Sequence, residues 1–122
     1  MTRTGEFVRS VLGRGGKGNM PFVLAIDLTA QLLFEEGIAM KDILVTKDVY
    51  PVVAKCLRMK HTSASRQILR IANRCWKKLS DEQKKMYIGK ALTFLEGPRK
   101  LLFYFAVYLY SGKPFFTQKE EQ

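Results

Sequence analysis

Metal sites and disulfide frameworks have little to build on in this sequence. It holds two cysteines, Cys56 and Cys75, and one histidine, His61. The cysteines are not spaced as a C-x-x-C pair, and one histidine cannot complete a metal site with them. Both are expected as reduced, buried thiols, which fits a cytoplasmic setting, and no cofactor is implied. Long apolar runs are also missing. The most apolar stretch, LLFYFAVYLY at residues 101–110, has ten residues, whereas a membrane span takes about 20. The opening MTRTGEFVRSVLGRGG lacks the continuous apolar segment of a secretory signal. No membrane role is expected. The most informative absence is local: residues 55–78 contain no Asp and no Glu.

What fills that acid-free stretch is positive charge. KCLRMKHTSASRQILRIANRCWKK carries eight Lys or Arg side chains in 24 residues. Residues 46–100 hold fourteen basic and four acidic side chains, while the flanking segments are each neutral. The whole formal charge of +10 therefore comes from the middle of the chain. A solubility device would be spread out; a segregated charge is the footprint expected for a polyanion.

The 122 residues fit one domain, and an apolar share of 47% is enough for a core. EFVRSVL reads as a short helix ending in the glycine loop at residues 13–19. Asn19 is placed to cap the next helix, with Pro21 in its first turn. That helix carries Phe22, Leu24, Ala25, Leu28, Leu32 and Leu33 up to Gly37. A helical turn over residues 39–44 follows. Thr46 then reads as the cap of a helix bearing Val49, Val53, Ala54 and Leu57, with Pro51 near its start or restarting it. After a turn at residues 58–61, Thr62 reads as the cap of a longer helix to about Leu79. Ser80-Asp81-Glu82-Gln83 has the form of a capping box, and the helix it opens is expected to close at Gly97-Pro98. Residues 99–110 form a last apolar element, taken as helix although its aromatics would also suit a strand. The expected fold is an all-α compact domain of about six or seven helices. It contains a helix-turn-helix at about residues 46–79 and a helical extension over residues 80–112.

On a helical wheel, Ala64, Ile68, Ile71, Ala72, Cys75 and Leu79 share one arc, flanked by Leu69 and Trp76. Ser63, Arg66, Gln67, Arg70, Asn73, Arg74, Lys77 and Lys78 occupy the other. The like charges repel by a few tenths of a kcal/mol per pair in an isolated helix. A phosphate backbone reverses that sign as each cation releases counterions. Arginine pairs with guanine in the major groove, and glutamine or asparagine with adenine. Ser63, Arg66, Gln67, Arg70 and Asn73 are therefore the candidate base-reading residues. Lys17, Lys47, Lys60, His61, Thr62, Ser65, Arg74, Lys77 and Lys78 are the candidate phosphate contacts. The preceding helix, the short turn and this helix have helix-turn-helix proportions.

The same residues carry a family resemblance. TKDVYPVVAK at residues 46–55, followed by TSASR at residues 62–66, resembles the C-terminal effector domain of the master regulator of sporulation initiation in endospore-forming bacteria. In that family a T-K-x-x-Y-P-x-x-A-K helix precedes a T-x-A-S-R helix start. Gly13, Lys17 and Gly18 echo its glycine-lysine loop, and coverage is about residues 6–76. The resemblance implies an all-helical domain whose helix-turn-helix enters the DNA major groove, often as paired copies on adjacent sites. The chain departs from the pattern in two respects. It leaves no room for the receiver domain that usually precedes this one, so a stand-alone effector is expected. It also has QILRIA at residues 67–72 where the family runs V-E-R-A-I-R, so the family's DNA target does not carry over.

The remaining candidates are weaker. GRGGKGN lacks the spacing and the Ser or Thr of a nucleotide P-loop and reads as a connector. His61 has no nucleophile or carboxylate to work with, so no enzyme is expected. Residues 101–110 are either core of their own domain or a homodimer contact that would suit paired half-sites. The expectation is a sequence-specific transcription regulator that binds double-stranded DNA. The alternative is an adaptor or anti-regulator whose basic face docks an acidic protein partner.

Overall fold

The computed structural model describes residues 2–13 and 18–117, and these contain six α-helices and no strand. Helix α1 spans Arg3–Leu12, α2 Met20–Ala30, α3 Tyr50–Leu57, α4 His61–Lys78, α5 Asp81–Tyr87 and α6 Pro98–Ser111. The all-α expectation is met.

Helix α2 is the hub. Seven of its eleven residues are buried, among them Phe22, Val23, Ala25 and Ile26. A helix apolar all round belongs inside a domain, and α2 packs against α1, α3, α4 and α6. Asn19 precedes it, yet its side chain makes no capping hydrogen bond; Pro21 in the first turn sets the start. The helix widens into a π-helical turn, Gln31–Glu35. Gly37, at φ +68°, then ends it, with the Ile38 N–H bonded back to the Leu32 carbonyl at 2.9 Å. A 3-10 turn at Met40–Asp42 follows.

The entry to α3 differs from expectation. Thr46 is exposed and caps nothing; a π-helical turn, Val45–Val49, comes first. Its start is held by Asp48, whose carboxylate accepts the Leu44 N–H at 2.8 Å. Pro51 therefore restarts the helix, and α3 begins only at Tyr50. It ends at Arg58, the sole non-glycine residue with positive φ among those described, in the left-handed region at φ 53°, ψ 48°. The Met59 N–H closes that end on the Ala54 carbonyl at 3.0 Å.

The opposite end of the chain completes the core. The capping box at the start of α5 is formed, with Ser80 N–H to Gln83 Oε1 at 2.9 Å and Gln83 N–H to Ser80 Oγ at 3.1 Å. The helix stops at Tyr87, ten residues before Gly97-Pro98, and that pair opens α6 instead. Ile88 is fully buried, and Gly89 at φ +102° turns the chain away beside it. The Phe116 N–H then bonds to the Ile88 carbonyl at 2.8 Å. Leu101, Leu102, Phe103, Tyr104, Phe105, Ala106 and Leu109 of α6 are buried, so the apolar run is core of its own domain. Phe7 of α1 ties the ends together, with ring centroids 4.8 Å from Tyr87 and 4.9 Å from Phe105. Among the described residues no helix is long and apolar enough to cross a membrane.

Candidate nucleic-acid interface

Helix α4 is the longest in the fold, at 18 residues, and its two faces are sharply unlike. Ala64, Ile68, Ile71, Ala72 and Cys75 are buried, followed by Leu79 just past its end. These are the residues the wheel placed on the inner arc. The buried face packs against α2, α3 and α6, so the helix sits on a fixed platform.

The outer face carries Arg66, Arg70, Asn73, Lys77 and Lys78, all exposed, with Ser63, Gln67 and Arg74 half-buried along its edges. Among the described residues no carboxylate forms an ion pair with any of these cations. Their charge is therefore uncompensated within the described fold.

The N-terminus of α4 is also open. Thr62 does not cap it. The helix starts two residues earlier, with Lys60 at the cap and His61 as its first residue, because the left-handed Arg58 shortens the turn to three residues. Lys60 occupies the cap position in extended conformation and makes no side-chain capping bond. No acidic residue stands in the first turn. Lys60, His61 and Thr62 are exposed, and the Ser65 hydroxyl donates to the Thr62 carbonyl at 3.1 Å. Such an end, with free N–H groups and a partial positive charge, suits an anion.

Lys47 is exposed on the π-helical turn ahead of α3, on a different element from the rest. Lys17 lies outside the described residues. Gly18 lies against α4: a Cβ placed there would stand 3.2 Å from Arg70 Nη2 and 3.8 Å from Gln67 Oε1. Gly18 thus borders the basic face, a proximity that no local sequence signal could give. Arg58, outside the residues expected to contact DNA, adds an exposed cation at the turn; its sequence signal is a lone arginine just where α3 loses its apolar period.

The cysteines divide. Cys75 is fully buried, and burial pushes its thiol up to about 12, against a small opposing pull from the Arg74 charge. Cys56 is exposed on α3, contrary to expectation. It falls about 100° from the centre of the Val53, Ala54 and Leu57 face. Both are free thiols. Among the described residues no three His, Cys, Asp or Glu side chains gather as they would around a metal. Trp76 is half-buried against the core, with Lys84 Nζ 4.2 Å from its ring centroid.

No protein-family model matches the chain, and neither a curated protein nor a solved structure matches it.

Proposed function

We propose that this chain is a sequence-specific regulator of transcription that binds double-stranded DNA through α3, the three-residue turn and α4, with α4 in the major groove. One observation carries the reading. Arg66, Arg70, Arg74, Lys77 and Lys78 line one side of a helix anchored on its other side, and no described carboxylate pairs with them. Desolvating or neutralising that charge requires an anion from outside, and a duplex backbone supplies anions at the spacing of a helix face.

Ser63, Arg66, Gln67, Arg70 and Asn73 are assigned to base edges, since recognition helices present their N-terminal residues to the bases. Lys60, His61, Thr62 and Ser65 gather at the open start of α4, suited to one phosphate group; Arg74, Lys77 and Lys78 follow the backbone further along. Lys47, and Lys17 of the glycine loop, are assigned to flanking phosphates. The resemblance of residues 46–55 and 62–66 to the sporulation-regulator effector domain supports the same assignment. Nothing in it requires chemistry, so the chain acts as a binder.

The test is competitive selection from a random DNA pool, followed by footprinting. Arg66→Ala and Arg70→Ala are expected to change which bases are preferred, each lost base contact being worth about 1–3 kcal/mol. A uniform fall in affinity at every site would reduce the helix to a phosphate contact. Absence of DNA protection together with capture of an acidic protein would favour the adaptor reading.

A further inference from the structure

A second feature lies away from the basic face. The segment around residues 40–46 and the start of α6 border an open cavity of about 790 Å³, within the size range of small-molecule sites. Its walls are apolar: Ile43 and Phe103 are buried there, and Leu44 is 57% exposed. Its other lining is cationic. Lys41, Arg99 and Lys100 line it together with a single carboxylate, Glu96, and none of the three forms an ion pair among the described residues.

Two further facts point the same way. Helix α6 is capped by Gly97, which offers no side chain, and has no acidic residue in its first turn, so only the Glu96 carboxylate just ahead of it stands against its partial positive charge. Beside Arg99, and outside the cavity lining itself, lies the buried hydroxyl of Tyr50, for which the Arg99 guanidinium is the neighbouring polar group although the two make no well-formed hydrogen bond. A buried hydroxyl without a partner is costly and uncommon in a finished core. Three cations, one carboxylate and a helix N-terminus thus meet next to an apolar wall, with the Tyr50 hydroxyl behind Arg99.

We propose that this cavity is an effector site for a small amphiphilic carboxylate. Its head group lies on Lys41, Arg99 and Lys100, and its hydrocarbon lies against Ile43, Leu44 and Phe103. A plain anion would leave the apolar wall wet, and a neutral lipid would leave the cations unpaired; an acid with a hydrocarbon body satisfies both. Val45 and Thr46 belong to the cavity lining and to the turn that leads into α3. Tyr50, beside Arg99, is the first residue of α3. Occupancy therefore bears on the helix that supports α4. That ligand occupancy tunes DNA binding rests on the function proposed above; that the cavity binds a ligand does not.

The experiment titrates sodium decanoate, below its micelle concentration, into the full chain, followed by calorimetry and by amide chemical shifts. Saturable binding is expected, with shifts centred on residues 41–46 and 97–103. Decanol should bind about tenfold or more weakly, as should decanoate to the Lys41→Ala/Arg99→Ala double variant. Lys41 and Arg99 are exposed, so the double variant keeps its core. Leu44→Trp, which fills the cavity from an exposed position, should block decanoate while leaving the unfolding midpoint near that of the wild type. The site is overturned by equal binding of decanol, by undiminished binding in the double variant, by shifts centred elsewhere, or by no saturable binding. Saturation by a glutamate decapeptide but not by decanoate also overturns it, in favour of a peptide groove. In a second arm, decanoate should change DNA affinity several-fold in the wild type and not in the double variant. Decanoate binding with unchanged DNA affinity removes the effector role; decanoate binding without any DNA binding leaves the site and removes the DNA reading.

Discussion

Gly18 and Arg70 are neighbours across the fold, close enough that a single methyl group on the glycine would stand 3.2 Å from the arginine Nη2. Gly18 also sits at φ +79°, where a side chain costs about 1–2 kcal/mol. Gly18→Ala is therefore expected to lower stability by roughly that amount. It should also displace Arg70 and, on the proposed function, weaken DNA binding at the base assigned to Arg70 more than elsewhere. Thermal unfolding and a panel of single-base variants of the bound site check the two effects separately.

Lys77 and Lys78, both exposed in the last turn of α4, offer a different measurement. On DNA, the wild-type slope of log affinity against log salt is expected to be on the order of 4–7. Lys77→Ala and Lys78→Ala should each reduce it by about 0.9 without altering sequence preference. A wild-type slope near zero would remove the electrostatic basis of the interface.

The alkaline side of the stability profile should carry the mark of Cys75. Its thiol is pushed by burial to about 12 from an ordinary 9.0, so the folded state holds that proton more tightly than the unfolded chain. The resulting stability is complete below the unfolded value and is lost as pH rises toward the folded one, by about 1.4 kcal/mol per pH unit. Burial raises Tyr50 and Tyr104 as well, which adds to the loss in the same direction. Cys75→Ala removes one contributor. The stability gap between the two proteins in urea should narrow between about pH 7.5 and about pH 10.5.

Gly89 is the tightest of the described glycines. At φ +102°, any Cβ would overlap the Phe116 carbonyl. Gly89→Ala is expected to cost about 2 kcal/mol or more and to free residues 113–117 from the body of the domain. Hydrogen exchange at the Phe116 amide, bonded to the Ile88 carbonyl at 2.8 Å, reports the release directly.

These positions show what the sequence could reveal. The two faces of α4 were legible because burial and charge both follow one helical period, and every inner-arc residue named from the wheel is buried. The capping box at Ser80 was legible because its partners are three residues apart. Asp48 displaced Thr46 at the entry to α3 because a carboxylate four residues on reaches the Leu44 N–H; the two starts have nearly the same local pattern. Gly97-Pro98 reads as a stop and is a start, since glycine followed by proline suits either end of a helix. What ends α5 is tertiary: Ile88 goes under the core, and the tail arrives at Gly89 from 27 residues away. The approach of Gly18 to Arg70 and the cavity at α6 likewise join distant segments, and no periodicity encodes them.

Helix α2 is apolar on nearly every side, and α6, which packs along it, is the last helix among the described residues. During synthesis α2 leaves the ribosome well before the surface that will cover it. For the time it takes to add the intervening residues, at about 5–20 per second, the nascent chain pairs a greasy, unsheltered hub with a strongly cationic middle. Messages cut short before α6 would yield a product that cannot bury its hub, and such fragments should depend on chaperones or be degraded.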